Sequence, residues 1–385
     1  MPKRLQAKLF LLIIILALVL VIGFFAWTVF ADPFEYQSPN VAAVSSTTGQ
    51  INLPPPVSHI ITPEPLKAIY MTACVAATPH WREDLQNFIR TTELNAVVID
   101  IKDYSGSISF GDPKLQSAAG ASCVAKDLGD FIRELHTNHI YVIGRIAVFQ
   151  DPLYTKLHPE LAVKSKSTGG VWKDRKGLSF IDVGAKPYWD YITSLAKDSY
   201  TLGFDEINFD YVRYPSDGNM ADALYTFTIG TSTKAEMLKS FFSYLHSQLV
   251  NTGMKTSVDL FGMTTTNTDD LGIGQVLENT LPYFDYVSPM VYPSHWPTGW
   301  NNFKNPAANP YEVIKISMAS AVARAVAASS SPLKLRPWLQ DFNLGADYTA
   351  AMIDDQIKAT YDVGLTSWMM WDPKNLYTRA AFKLE

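Results

Sequence analysis

Eight short apolar runs, each followed by a helix-like or loop segment, recur from Lys67 to Trp371 of this chain and constrain its fold more than any other feature. The runs are Lys67 to Thr72, Asn95 to Asp103, His139 to Val148, Phe204 to Pro215, Met254 to Phe261, Phe284 to Tyr292, Leu335 to Phe342 and Leu365 to Trp371. Helical patterning falls between them at Trp81 to Thr91, Lys126 to Asn138, Pro187 to Leu202, Ser232 to Asn251, Tyr311 to Ala328 and Tyr348 to Val363, with a short helix at Gly272 to Thr280. Regular alternation of strand and helix points to parallel strands, and this number of units at this length predicts a (β/α)8 TIM barrel.

The fourth run, FDEINFDYVRYP, is the most informative. Alternate residues of a strand face opposite sides, so Ile207, Phe209 and Tyr211 share one side, and Glu206, Asn208 and Asp210 share the other. In a barrel the polar side points inward and up to the mouth, where carboxylates are costly to bury unless they have work to do.

The ends of the chain differ from its body. Leu9 to Phe30 contains no charged residue and follows Lys3, Arg4 and Lys8. It is long enough to cross a bilayer, and the positive flank places the N-terminus in the cytoplasm. It exceeds the apolar stretch of about 7–15 residues usual in a cleaved signal, which favours an uncleaved, single-pass anchor over residues 1–31. Residues 32–65 are rich in Pro, Ser, Thr and Ala, lack periodicity, and read as an extended linker. Residues 66–385 then form one extracytoplasmic domain. Cys74 and Cys123 are the two cysteines of an exported chain; a disulfide is expected, with two buried thiols as the alternative.

Charge and motifs exclude several chemistries. The net charge is −5 with no basic cluster beyond the N-terminus, which speaks against nucleic-acid binding. The histidines are scattered and make no HExxH, so no metal is expected. There is no Walker lysine motif, no GxSxG elbow and no complete dinucleotide fingerprint, so no organic cofactor is expected either.

What remains is a ring of side chains at or near the C-terminal strand ends, where barrel active sites lie: Asp100, Lys102, Asp103, Arg145, Asp210, Arg213, Asp259, Tyr292, Gln340, Trp371 and Asp372. Glycoside hydrolysis needs two carboxyl groups about the scissile bond, one giving a proton and the other attacking or activating water. Asp210 and Asp259 end adjacent strands on the same side and are the first pair; Glu206, deeper, is the weaker substitute. The other ring members are candidate substrate contacts, as is Trp296, with Tyr292, Trp296 and Trp371 as platforms for sugar faces. A structural ion-pair network at the mouth is the plainer alternative.

GFDEINFDYVRYPSDG, with KAIYMT, VVIDIKDYSG, SVDLFG, DYVSPMVYPSHW, RPWLQDF and SWMMWDP, resembles a bacterial family of glycoside hydrolases formerly carried as a domain of unknown function. Its relatives look like α-amylase-like barrel enzymes. The resemblance covers roughly residues 65–385. It implies catalysis on an extracellular or cell-envelope polysaccharide, with Asp210 matching the fourth-strand nucleophile. The fifth strand of such enzymes supplies a Glu acid, where this chain has Asp259. A glycan-binding barrel without catalysis, tethering the cell envelope, is the alternative.

Overall fold

The computed structural model describes residues 57–110, 123–228 and 232–384. The expected anchor, 1–31, and most of the expected linker lie outside the described residues. Among the described residues no helix is long and apolar enough to cross a membrane.

The eight runs form eight parallel strands: β1 (Lys67–Met71), β2 (Ala96–Lys102), β3 (Tyr141–Ala147), β4 (Glu206–Asp210), β5 (Lys255–Phe261), β6 (Tyr286–Met290), β7 (Trp338–Gln340) and β8 (Trp368–Trp371). Each pairs with its neighbour in sequence, and β8 closes on β1 through Lys67↔Trp368 to Ile69↔Met370. The barrel is complete. Strands covered on both faces carry near-continuous apolar runs, and every residue of β2 is buried.

Among the described residues, six α-helices of ten residues or more surround the barrel: α1 (Pro79–Arg90), α2 (Leu128–Thr137), α3 (Lys186–Leu202), α4 (Lys234–Leu249), α5 (Pro310–Ala327) and α6 (Ala350–Asp362). Local chemistry sets their ends. Thr233 and Glu236 form a reciprocal capping box at the start of α4, and Gly203 at φ 128° stops α3. The helix expected at Gly272 to Thr280 is instead a 3-10 turn at Leu277–Asn279. Leu271, Gly272 and Gly274 have φ of 53°, 68° and 86°, a left-handed path no right-handed helix can contain.

Two apolar cores result from the alternation. Ile207, Phe209, Val258 and Leu260 face outward and pack with Trp189, Phe241 and Met318 of the helices. Ala68, Val98, Tyr141, Ile143, Trp338 and Met369 fill the barrel interior. Glu206, Asn208 and Asp210 share the interior side, as their spacing predicted, and run from floor to mouth.

One segment differs from expectation. Residues 57–65, expected to extend as linker, pack across the barrel floor. Ile60 N donates to Asp205 Oδ1 at 2.8 Å, Thr62 Oγ1 lies 3.0 Å from Tyr141 Oη, and His59 stacks on Tyr200. The long excursion between β3 and α3 is also folded. Its Lys164–Ser165 pairs antiparallel with Ala223–Leu224 of the loop after β4, over a small core of Val163, Trp172, Phe180 and Ala223. Cys74, after β1, and Cys123, before α2, are joined as a disulfide with Cα atoms 4.2 Å apart.

Candidate active site

At the C-terminal mouth lies a cavity of about 510 Å³ lined by Arg145, Asp210, Tyr211, Arg213, Asp259, Phe261, Gly262, Met263, Met290, Tyr292, His295, Trp296 and Trp371. Seven of the residues singled out from sequence therefore meet in one wall: Arg145, Asp210, Arg213, Asp259, Tyr292, Trp296 and Trp371.

Asp210 and Asp259 sit side by side because β4 and β5 pair in register, Asn208↔Ser257 and Phe209↔Val258. Their surroundings are opposite. Asp210 Oδ2 receives both Nε, at 3.1 Å, and Nη2 of Arg145. The same guanidinium reaches back to Asp100, with Nη1 donating to Oδ1 at 2.6 Å. Burial works against the Arg145 charge, but Asp210 and Asp100 hold it firmly protonated. Asp100 stands behind Arg145 and also accepts from Tyr70 Oη at 2.5 Å.

Among the described residues, the donors to Asp259 are neutral. Asn208 Nδ2 donates to its Oδ1 at 2.9 Å, and Trp338 Nε1 donates to the same oxygen at 2.8 Å. Burial pushes its carboxyl far above the usual carboxylate range; the adjacent Asp210 charge adds to this, against opposition from Arg145, Asn208 and Trp338. Two carboxyl groups in one cavity thus stand in opposite environments, one paired with a guanidinium and the other buried among neutral donors.

The backbone at the end of β4 is specialised. Tyr211 has φ 51°, an uncommon conformation for a bulky side chain, and its N–H donates to Asp210 Oδ1 at 2.5 Å. That turn breaks the strand alternation and brings Tyr211 into the cavity wall rather than the outer core. Gly262 follows β5 where a Cβ would lie 2.4 Å from the Met290 carbonyl oxygen; only glycine permits this approach.

Aromatic faces complete the wall. Trp371 stacks on Tyr70 with ring centres 3.8 Å apart and lies beneath the Arg145 guanidinium. Tyr292 meets His295 edge to face, and burial lowers the His295 pKa, favouring neutral imidazole.

Other predicted site residues lie elsewhere. Glu206 is at the floor, wholly buried, where Arg336 Nη1 donates to its Oε2 at 2.9 Å. It lies below Asn208 and does not line the cavity, which corrects its reading as a substitute catalytic carboxylate. Lys102 is corrected too: a register irregularity between Asp100 and Lys102 breaks the alternation, and its ammonium pairs with buried Asp151 at 2.9 Å. Asp103 accepts from Ser105 N and Oγ, and Asp372 accepts from the amides of Lys374 and Leu376. Gln340 bridges Ser294 N and the Phe342 carbonyl. These three shape loops and do not line the cavity.

Sequence reasoning did not single out Met263, Met290, His295 or Tyr211 as site residues, nor Tyr70 and Trp338 as supports. Tyr70 and Trp338 occupy inward positions of their strands, one level below the mouth, and that parity was the available signal. Tyr211 and Met263 arrive through turns that parity does not describe.

The sequence matches the model of a family described as "Putative glycosyl hydrolase domain" over residues 68–377. A search of curated protein sequences returns no match. Among solved structures, a hypothetical protein from Ruminiclostridium thermocellum is 31% identical, over 53% of this chain and 98% of that one, with a TM-score of 0.45. The glycoside hydrolase domain of PgaB (BpsB) from Bordetella bronchiseptica is 14% identical with a TM-score of 0.59, over 83% of this chain and 99% of that one. Alpha-L-fucosidase isoenzyme 2 from Paenibacillus thiaminolyticus is 10% identical with a TM-score of 0.56, over 82% of this chain and 48% of that one. The latter two likenesses are likenesses of fold.

Proposed function

Since the chain belongs to the putative glycosyl hydrolase domain family, we propose that its barrel cleaves O-glycosidic bonds of an extracellular or cell-envelope polysaccharide, with Asp210 and Asp259 as the reacting pair. The contrast between the two carboxyl groups carries this reading: Asp210 is ion-paired with Arg145, whereas Asp259 is buried among neutral donors beside it. Asp259 gives its proton to the glycosidic oxygen as the bond to the anomeric carbon breaks. Asp210 faces the developing positive charge, as nucleophile or as base to the attacking water. Arg145 and Asp100 fix Asp210 in position. Trp371, Trp296 and Tyr292 offer flat apolar surface to sugar rings.

The location belongs to the same proposal. Leu9 to Phe30 anchors the chain in the cell membrane with the barrel outside, a reading supported by the positive flank and by a disulfide suited to an oxidising compartment.

A screen of polysaccharides, read by release of reducing ends, tests the assignment. Asp210→Asn should abolish turnover while the melting temperature and glycan affinity persist. Unchanged turnover by that variant would sink the role of Asp210.

A further inference from the structure

Arg145 and Arg213 both line the cavity, but only Arg145 is neutralised by contact. Arg213 is 9% exposed and, among the described residues, makes no ion pair. Its Nη1 donates to the Tyr214 carbonyl and to Ser216 Oγ, each at 3.1 Å. Those two bonds use both Nη1 hydrogens and leave the Nε–Nη2 edge without an acceptor among the described residues. Asp210 and Asp174 act on the group only through space.

The guanidinium is also held still. Rings of Phe261, Tyr211 and Phe180 surround it, with centres 4.9, 5.1 and 5.8 Å from Cζ. Phe261 ends β5, Tyr211 follows β4, and Phe180 comes from the folded excursion before α3. Three separate segments thus fix one planar cation in the cavity wall. Rings contribute cation–π attraction but cannot replace the hydration that burial removes. A buried cation of this kind gains most from an anion, and two parallel N–H groups on one guanidinium edge match two oxygens of a single planar or tetrahedral acid.

We infer that Arg213 forms an anion subsite, so that the sugar accepted beside the catalytic pair carries a negatively charged substituent: a carboxylate, sulfate or phosphate. The inference rests on the cavity being a glycan site, as proposed above, and adds the class of glycan. The anionic group lies over the β4–β5 rim against Arg213. The apolar sugar face meets Tyr292 and Trp296, which follow β6, and Trp371 at the end of β8. Charge balance gives the plainer account, in which Arg213 offsets Asp210 at a distance and meets no ligand. That account predicts no preference between charged and neutral sugars.

Calorimetric titration of the full chain in detergent micelles with glucuronate and galacturonate, against glucose and galactose, separates the two. Glucose 6-sulfate and glucose 6-phosphate form the further arms that identify the acid. At least one anionic sugar should bind about thirtyfold or more tightly than its neutral counterpart, the factor expected for a desolvated charge-assisted pair. Arg213→Met keeps an unbranched chain between the rings and should erase that preference while neutral-sugar affinity stays. Arg213→Lys, which keeps the charge but loses the edge, should retain only part of it and serves if the Met variant fails to fold. Equal affinity for charged and neutral sugars, including no detectable binding of either, overturns the inference. So does a preference that survives Arg213→Met. Because the readout is binding, absent hydrolysis would sink the glycosidase reading and leave this one standing, whereas hydrolysis of neutral glycans with no anion preference would do the reverse.

Discussion

Trp338 Nε1 donates to Asp259 Oδ1 at 2.8 Å, on the same oxygen that accepts from Asn208. The arrangement orients the carboxyl without supplying a cation, and leaves Oδ2 to carry the proton. Arg145 acts on Asp259 only through space and is itself engaged by Asp210 and Asp100. Polarity in the cavity is thus set by one arginine that contacts Asp210 and Asp100 and leaves Asp259 to neutral donors.

If Asp259 is the proton donor, Asp259→Asn should depend on the leaving group. Turnover of natural glycans should fall by about 10²–10⁴, the usual worth of positioned acid catalysis. Aryl glycosides whose phenolate leaves without protonation should lose far less. Equal losses on both substrate types would remove the acid role.

The same variant should reveal a pH-dependent cost in the fold. Asp259 has a pKa raised by burial, so above the unfolded value of about 4 the folded state holds the extra proton and stability declines as pH rises toward the folded pKa. Asparagine keeps a carbonyl oxygen for Asn208 and Trp338 and has nothing to ionise. Its melting temperature relative to wild type should therefore climb with pH, by roughly 2–4 °C per pH unit inside that interval. A difference that is flat with pH, measured by scanning calorimetry, would contradict the raised pKa.

Arg145→Met strands Asp100 and Asp210 together without their counterion. Loss of one partner from a buried pair typically costs about 3–5 kcal/mol, and chemical denaturation should register a destabilisation of that order along with lost turnover. Adding Asp100→Asn to Arg145→Met should recover part of the stability.

Glu206→Gln should separate structure from catalysis. It breaks the floor pair with Arg336, both members of which are 0% exposed, and should lower stability by about 3 kcal/mol or more. Turnover per folded molecule should not change. A large fall in turnover with stability intact would return Glu206 to the catalytic set.

Cys74→Ser with Cys123→Ser should destabilise the barrel by about 2–5 kcal/mol, as expected from opening a loop closed across 49 residues. Denaturation with and without reductant measures this in the native sequence as well.

Much of this is legible in the sequence, because a parallel barrel writes its parity into the chain. The inward set Glu206, Asn208 and Asp210 follows from alternation alone. So does the pairing of Asp210 with Asp259 at one level. Depth was less visible: Glu206 and Asp210 share a side, yet one lies at the floor and the other at the mouth. Parity fails wherever the strand is irregular. The irregularity after Asp100 turns Lys102 out to Asp151, and the left-handed turn at Tyr211 carries that ring inward. Asp103, Asp372 and Gln340 look like site residues because strand ends are polar, but polar residues there also terminate strands and cap the next turn. Distinguishing the two uses requires knowing which amides lack partners, and that information is three-dimensional.

The ring clamp on Arg213 draws on two kinds of chain. Phe261 and Tyr211 belong to strand ends that also carry the acids, whereas Phe180 belongs to an excursion with its own small core around Trp172. Replacement of that excursion in a descendant would alter how the guanidinium is presented and leave Asp210 and Asp259, the proposed reacting pair, where they are. Diet can then diverge while chemistry is inherited unchanged.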